Sequence, residues 1–194
     1  MQLSLTDGNG MASNYDFVWK FIFGGAGGAG KTTFLNRFMY GEFSPDTKLT
    51  VGVQFKSVEL MRKQKKIGLL LWDLGGQERF RFIQGEYMKN SNAAFVFFDM
   101  TRPHSQIQVP DWVTMYRKFT SPQIPIVLVG AKFDLCTQEE VDMMTKVGND
   151  YVKDLGLWGY VATSAKTGTN IAESIYYMVD LMLYRIKTYQ QKYE

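Results

Sequence analysis

Residues 24–33 form a glycine-rich run that ends in Lys31, Thr32 and Thr33, and these residue types at this spacing can bind phosphate. From Gly25 to Thr32 the run has the GxxxxGK[S/T] pattern of a phosphate-binding loop. Glycines let backbone N–H groups close around phosphate oxygens, and the helix that follows turns its positive end toward the anion. Lys31 can reach the β- and γ-phosphates, and the Thr32 hydroxyl can bind Mg²⁺. The run therefore predicts a nucleotide site, whereas a plain glycine-rich turn is the alternative.

A second polar segment follows an apolar run and has the D-x-x-G form, from Asp73 to Gly76. A carboxylate beside a phosphate loop can hold Mg²⁺ through water. The next side chain, the Gln77 amide, can orient a water molecule for in-line attack on the γ-phosphate. Alone, D-x-x-G is usually a turn and Gln77 a solvated loop residue, but behind a phosphate loop they predict the metal and water side of a triphosphate site.

Two further segments follow apolar runs and can recognise a base: Lys132-Phe133-Asp134, and Ser164-Ala165-Lys166. The Asp134 carboxylate can accept hydrogen bonds from the two N–H donors on the N1–N2 edge of guanine, a pair that adenine lacks. The Ala165 backbone N–H can donate to the guanine O6. Lys132 and Lys166 can lay their aliphatic stems across the base. A helix cap or a surface turn is the alternative role for Asp134.

The periodicity of apolar residues predicts alternating strands and helices. The predicted strands are residues 18–23, 51–60, 67–72, 93–99, 124–130 and 160–163, and the predicted helices are 34–40, 80–90, 110–119, 137–155 and 171–186. The second and third strands flank a charged tip, 62–66, and predict a hairpin. This tip is either solvated or in contact with anionic lipid. The alternation predicts a doubly wound α/β fold, with a mostly parallel six-stranded sheet, helices on both faces and ligand loops at the carboxyl ends of the strands.

The composition of the 194 residues, 45% hydrophobic and 21% charged, fits one globular domain. We expect a flexible lead-in at 1–15 and the folded domain at 16–190. The net charge of +3 gives no reason to expect nucleic acid as a partner. The single Cys136 excludes an internal disulfide, and no lipid-attachment motif is evident. We expect a cytoplasmic monomer that reaches membranes only through partners.

In this order and spacing, the motifs resemble those of the Ras superfamily of small GTPases, and of its Rab branch in particular. The resemblance spans about residues 17–189. It implies the small G-protein form of the P-loop NTPase fold and a slow hydrolysis of GTP to GDP and phosphate. It also implies a molecular switch in trafficking or signalling, with an exchange factor, an activating protein and effectors as partners. The matching segments are 25–32 for the first motif, 50–55 and 72–80 for the two switches, and 132–134 and 164–166 for base recognition.

The resemblance also implies roles for individual residues. Gln77, Lys31 and Thr50 would act in catalysis, and Thr32, Thr50 and, through water, Asp73 would hold Mg²⁺. Phe55, Trp72 and Tyr87 resemble an aromatic effector-binding triad, with ordinary packing as the alternative. The implied nucleotide-binding residues are Gly25, Gly27, Gly28, Ala29, Gly30, Lys31, Thr32, Thr33, Phe43, Thr50, Asp73, Gly76, Lys132, Asp134, Ser164, Ala165 and Lys166.

Three positions depart from the family pattern. Ala131 stands where the family usually has an asparagine whose amide bonds the base and braces the phosphate loop, so we expect weaker binding and faster exchange. Leu74 and Gly75 replace the usual threonine and alanine, and the extra glycine predicts a looser second switch. The phosphate loop holds no arginine, so we expect the activating protein to supply one.

Two alternative functions follow from the same residues. The first is a nucleotide-stabilised binding module with negligible turnover. The second is an ATPase or kinase made permissive by Ala131. The complete set of Lys31, Thr50, Asp73 and Gln77 favours the hydrolysing switch.

Overall fold

The computed structural model describes residues 15–45, 48–76 and 81–193, without the side chains of 81–83, 192 and 193. The predicted lead-in up to residue 14 and the predicted catalytic Gln77 lie outside the described residues. The strands are β1 (Phe17–Gly25), β2 (Val53–Arg62), β3 (Lys65–Leu74), β4 (Ala93–Asp99), β5 (Ile126–Ala131) and β6 (Gly159–Thr163). The helices are α1 (Lys31–Tyr40), α2 (Arg81–Met88), α3 (Val109–Phe119), α4 (Gln138–Asp154) and α5 (Ile171–Tyr193).

The six strands form one sheet in the order β2-β3-β1-β4-β5-β6. Only β2 and β3 pair antiparallel, and the other neighbours are parallel. The predicted mostly parallel α/β sheet is confirmed. After β1 the chain first builds the sheet on one side, toward β3, and then on the other, toward β4. In such sheets ligands bind at the carboxyl ends of the strands where the order reverses, which is the end of β1.

Helices cover both faces of the sheet because alternate residues of the central strands point to opposite sides. Phe21 and Phe23 of β1 pack in one core layer with α1 and α5. Ile22, between them, lies in the other layer, where Trp112 and Tyr116 of α3 cover the sheet. These side chains are buried, so the central strands are fixed on two sides and hold the loops at their ends in place.

The β2–β3 hairpin turns at Lys63 and Gln64, with φ angles of 48° and 61°. The charges at this tip have acidic partners. Arg62 forms a bidentate pair with Asp180 of α5, at 3.0 and 2.6 Å, and Lys63 lies 3.3 Å from the same carboxylate. Lys65 and Lys66 pair with Asp16 and Glu59. These ion pairs favour a structural role for the tip over contact with lipid.

Two boundaries follow from tertiary and local contacts. β3 continues two residues beyond the predicted Trp72, because Asp73 and Leu74 pair with Gln54 and Val53 of β2. α4 begins with a capping box: the Thr137 side chain accepts from the Glu140 backbone N–H, and the Glu140 carboxylate accepts from the Thr137 backbone N–H. In the described part of the chain, the helices are all too short or too polar to cross a bilayer.

Candidate functional site

The phosphate loop begins where β1 ends and is shaped by glycine. Gly25 has φ +127°, and a Cβ there would lie 2.1 Å from the carbonyl oxygen of Phe97 in β4. Gly30, at φ 92°, immediately precedes the first turn of α1. Both conformations are costly for residues with a side chain. The loop therefore places the N-terminus of α1, the positive end of the helix dipole, at the end of the sheet.

Lys31 is only 5% exposed, and its ammonium lies inside the loop. Its Nζ donates to the carbonyl oxygens of Gly25, at 3.2 Å, and Ala26, at 3.0 Å. Burial lowers the pKa of Lys31 to about 8, while the Asp73 carboxylate opposes this shift and the charge of Arg102 adds to it. A buried cation at a helix N-terminus is complementary to phosphate, which would restore the favourable surroundings that burial removes.

Three oxygen-bearing side chains, those of Thr32, Thr50 and Asp73, converge near Lys31. The hydroxyl oxygens of Thr32 and Thr50 are 2.6 Å apart, and both donate to Oδ2 of Asp73. The other carboxylate oxygen, Oδ1, is buried and has no hydrogen-bond partner within the described ranges. Burial raises the pKa of Asp73, against the hydrogen bond from Thr32 and the charge of Lys31. Hydroxyl and carboxylate oxygens suit Mg²⁺, so these residues fit the predicted ion.

A cavity of about 540 Å³ joins the phosphate loop to the base-recognition segments, a size typical of small-ligand sites. Its walls come from α1, from the segments before β2 and after β3, and from the ends of β5 and β6. The lining residues are Gly27, Gly28, Gly30, Lys31, Thr32, Thr33, Phe34, Phe43, Ser44, Pro45, Lys48, Leu49, Thr50, Gly76, Ala131, Lys132, Asp134, Leu135, Thr163, Ala165 and Lys166.

Most of the predicted nucleotide-binding residues thus meet in one cavity. The four exceptions lie behind the residues that line the cavity. Gly25 and Ala29 belong to the loop backbone, and Asp73 lies beneath the two threonines. Ser164 is buried, and its hydroxyl accepts a hydrogen bond from the backbone N–H of Thr167 at 3.1 Å, so it shapes the turn that carries Ala165.

Lys132 adopts a left-handed backbone conformation, at φ 66°, directly after β5. A short 3-10 turn, Phe133–Leu135, follows, and the backbone N–H of Leu135 donates to the Lys132 carbonyl at 3.0 Å. This turn holds Asp134 at the cavity wall. Sequence analysis did not predict the turn, nor the lining residue Leu135.

Gly75 and Gly76 make close backbone contacts. The Gly75 N–H donates to the carbonyl of Gly52 at 2.8 Å, and its own carbonyl accepts from the buried amide of Gln84 at 2.6 Å. A Cβ at Gly76 would lie 2.4 Å from the backbone nitrogen of Gly27. The glycine pair therefore lets the segment after β3 lie directly against the phosphate loop, a steric role that sequence analysis did not include.

The aromatic residues predicted to bind effectors lie side by side. The ring centroid of Trp72 is 5.9 Å from that of Phe55 and 6.0 Å from that of Tyr87. Phe55 is 75% exposed and Tyr87 is 40% exposed. Lys20 lies on the Trp72 ring, with Nζ 4.0 Å from its centroid. Exposed, clustered aromatic rings are typical of binding hot spots.

Sequence analysis missed one cluster next to the cavity. Asp99, the last residue of β4, accepts hydrogen bonds from Arg102 and Lys132, and Arg102 also donates to the Gly27 carbonyl of the phosphate loop. The sequence did contain a signal for this cluster, since Asp99 ends a predicted strand and the carboxyl ends of parallel strands share one rim of the sheet.

Comparison with known proteins agrees with this geometry. A sequence model of the Ras family matches residues 20–184. The chain belongs to the Ras family. It is 34% identical over 164 residues to the Ras-related protein Rab-4B of Homo sapiens, covering 84% of this chain and 76% of that protein. It is 32% identical to Rab-2B of Dictyostelium discoideum, over 91% and 86% of the two chains. It is 36% identical to Rab-30 of Homo sapiens, over 81% and 76%.

The predicted Rab-like kinship is therefore confirmed. As a small GTPase of the Ras family, the protein binds guanine nucleotides, hydrolyses GTP and acts as a molecular switch in trafficking, with regulators and effectors as its partners. The family does not by itself assign these functions to particular side chains of this chain.

Proposed function

We propose that this protein binds and hydrolyses GTP with Mg²⁺ in the 540 Å³ cavity, using the residues described above. The observation that carries the proposal is the placement of Lys31 and the Thr32–Thr50–Asp73 cluster at one end of this cavity and Asp134 at the other. This arrangement is complementary to a triphosphate and a base held in one extended molecule.

At the phosphate end, the buried ammonium of Lys31 and the loop N–H groups oppose the negative charge of the β- and γ-phosphates. Thr32, Thr50 and, through water, Asp73 would hold Mg²⁺, which when bound neutralises phosphate charge. Gln77 orients the attacking water. Because Arg102 lies outside the cavity lining, we expect an activating protein to supply an arginine, and unassisted turnover on the order of 10⁻⁴ s⁻¹.

At the base end, Asp134 accepts hydrogen bonds from the N1–N2 edge of guanine, and the Ala165 N–H donates to O6. The stems of Lys132 and Lys166 cover the base, and the Phe43 ring stacks against it. Adenine would leave the Asp134 carboxylate without hydrogen-bond donors, which would weaken the binding free energy by about 1–3 kcal/mol or more. Guanine preference therefore rests on Asp134 in spite of the missing amide at Ala131.

We assign the switch to Thr50 and Gly76, which line the phosphate end of the cavity. Loss of the γ-phosphate removes the group that both would contact, so the segments that carry them relax. The Phe55–Trp72–Tyr87 cluster, on the two strands that join these segments and on α2, is the surface we assign to effectors. We further propose a cytoplasmic monomer that partners recruit to membranes.

Single-turnover hydrolysis and calorimetry test this proposal with purified protein and Mg²⁺. We expect GTP and GDP to bind, with an affinity lowered by the missing amide at Ala131, ATP to bind much more weakly still, and phosphate to be released slowly. Binding without any hydrolysis over many hours would support the nucleotide-stabilised binding module instead. Equal affinity for ATP and GTP would support the permissive ATPase.

A further inference from the structure

Asp99 is the centre of a charged cluster at the end of β4. The residue is 1% exposed, and its carboxylate accepts four hydrogen bonds. Oδ2 accepts from Nε of Arg102 at 2.9 Å and from Nζ of Lys132 at 2.7 Å. Oδ1 accepts from the backbone N–H and the hydroxyl of Thr101, at 3.0 and 2.7 Å. Burial would raise the pKa of Asp99, but the hydrogen bonds from Lys132, Thr101 and Arg102 and the charge of Lys132 lower it overall.

Arg102 connects this carboxylate to the phosphate loop. Its Nη2 donates to the carbonyl oxygen of Gly27 at 2.8 Å, and the same nitrogen lies 3.4 Å from the position that a Cβ on Gly28 would take. The guanidinium is absent from the cavity lining, so it holds the loop from its outer side. Arg102 is therefore a positioning residue, because it reaches the phosphate site only through the loop backbone.

Lys132 connects the same carboxylate to the base-recognition segment. Its Cε lies 3.8 Å from the position that a Cβ on Gly30 would take, so the lysine stem crosses the far end of the phosphate loop. The backbone N–H of Met100 also donates to the Ala131 carbonyl at 3.0 Å. Oδ2 of Asp99 thus links the phosphate loop to the base-recognition segment, and these would contact opposite ends of a bound nucleotide.

The Ala131 side chain cannot make such a connection, because a methyl group has no hydrogen-bonding atom. The bonds through Asp99 are charge-assisted, and such bonds are stronger than neutral ones. The Arg102 side chain is 51% exposed, which weakens its ion pair by solvent screening. Its bonds to the buried Asp99 and to the loop carbonyl remain directional, because the planar guanidinium fork fits both acceptors at once.

We propose that the Asp99–Arg102–Lys132 cluster holds the phosphate loop against the base-recognition segment and so slows the release of bound guanine nucleotide. The inference rests on the proposed function, since it concerns the same cavity. It differs from the proposed function in assigning a role to Asp99 and Arg102, which lie outside the cavity wall, and a second role to Lys132, which lines it.

Release of a fluorescent GDP derivative, chased with excess GDP, tests the inference on the full chain. We expect Arg102→Ala to accelerate release by roughly three- to tenfold, the range for a charge-assisted bond discounted for exposure. Arg102→Lys should give an intermediate rate, because an ammonium can reach Asp99 or Gly27 but lacks the fork to hold both. The acceleration should persist when a chelator removes Mg²⁺, because Arg102 acts on the loop rather than on the ion.

Arg117 offers a matched control. Its Nη2 also donates to backbone carbonyls, those of Leu155 and Gly156, at 2.6 and 3.2 Å, and it too lies outside the cavity lining. Arg117→Ala should lower the melting temperature without changing the release rate. Unchanged release in Arg102→Ala would overturn the inference, as would equal acceleration by both alanine variants, which would indicate general loosening. A wild-type protein that fails to bind the derivative would overturn the proposed function itself.

Discussion

The hydroxyl oxygens of Thr32 and Thr50 lie 2.6 Å apart, although 18 positions separate the residues in the chain. Both hydroxyls also donate to Asp73 at the end of β3. Three separate segments of the chain therefore meet at one set of oxygen atoms. A change at any of them acts on the others, and this makes the cluster the most direct place to test the proposed metal site.

Thr32→Ala removes one hydroxyl ligand while keeping the helix, because alanine has the highest helix propensity. We expect release of GDP in the presence of Mg²⁺ to accelerate by at least about tenfold. This is the effect of losing one interaction with a charged group, worth about 1.5–3 kcal/mol. A chelator should then accelerate release much less than it does in wild type. Fluorescent GDP release with and without chelator measures both effects, and an undiminished chelator response would remove Thr32 from the metal site.

Asp134→Asn tests base recognition. The amide offers one acceptor and one donor in place of two acceptors, so it cannot accept from both N–H groups of guanine. We expect affinity for GDP to fall by roughly tenfold to a hundredfold, while xanthine nucleotides, which carry a carbonyl at C2, should bind better than in wild type. Calorimetric titration with each nucleotide measures the change. Retained guanine preference would place the specificity elsewhere.

Gln77→Leu tests the water-orienting role that the sequence assigns to a residue outside the described ranges. The substitution keeps the approximate size of the side chain and removes its hydrogen-bonding atoms. We expect single-turnover hydrolysis to fall by at least about tenfold, within the range for loss of a positioning or general-acid-base group, with GTP affinity nearly unchanged. Phosphate release and calorimetry on the same preparation separate the two. Wild-type turnover would exclude Gln77 from the mechanism.

Gly76→Ala tests the approach of the segment after β3 to the phosphate loop. The new Cβ would lie 2.4 Å from the backbone nitrogen of Gly27, and backbone atoms cannot move aside as a flexible side chain can. We expect the segment to be displaced, so that affinity for GTP falls more than affinity for GDP. Binding of GDP and of a non-hydrolysable GTP analogue measures the difference. An equal loss for both would show that Gly76 does not respond to the γ-phosphate.

Asp180→Asn tests the link between the β2–β3 hairpin and α5. Hydrogen bonds from Arg62 lower the pKa of Asp180 more than its burial raises it. A carboxyl group whose pKa is lower in the folded state stabilises the protein above its unfolded pKa of about 4 and loses this contribution as the pH falls.

We therefore expect Asp180→Asn to lower the melting temperature by about 1–4 °C at pH 7, as for a partly exposed ion pair. The difference from wild type should shrink as the pH falls below about 4. Thermal melts across this range measure it, with Asp150→Asn, an exposed carboxylate of α4, as the control. A difference independent of pH would show that packing rather than charge is lost.

The sequence predicted the sheet, its helices and most of the cavity, because burial imposes periodicity on strands such as β4, whose residues are all buried. It also predicted that residues after β1, β3, β5 and β6 would meet, since the carboxyl ends of parallel strands share one rim. The capping box at Thr137 was predictable for a local reason, because both of its hydrogen bonds lie within four residues.

The contact between Arg102 and Gly27 could not be predicted in this way. It joins a loop after β4 to a loop after β1, and no pattern within either segment specifies it. The prediction of weaker nucleotide binding from Ala131 considered only the missing amide, whereas the structure shows a different set of side chains bridging the same two segments. Whether they compensate is a question of rates, which the Arg102 variants address.

The position of Trp72 has a practical consequence. Its indole contacts Phe55 of β2, Tyr87 of α2 and Lys20 of β1, so four elements meet around one ring. Two of the other three tryptophans, Trp19 and Trp112, are buried in the core, where the surroundings are fixed. We therefore expect the emission of Trp72 to change when the switch segments rearrange, which would give the protein an optical reporter of nucleotide state with no label required.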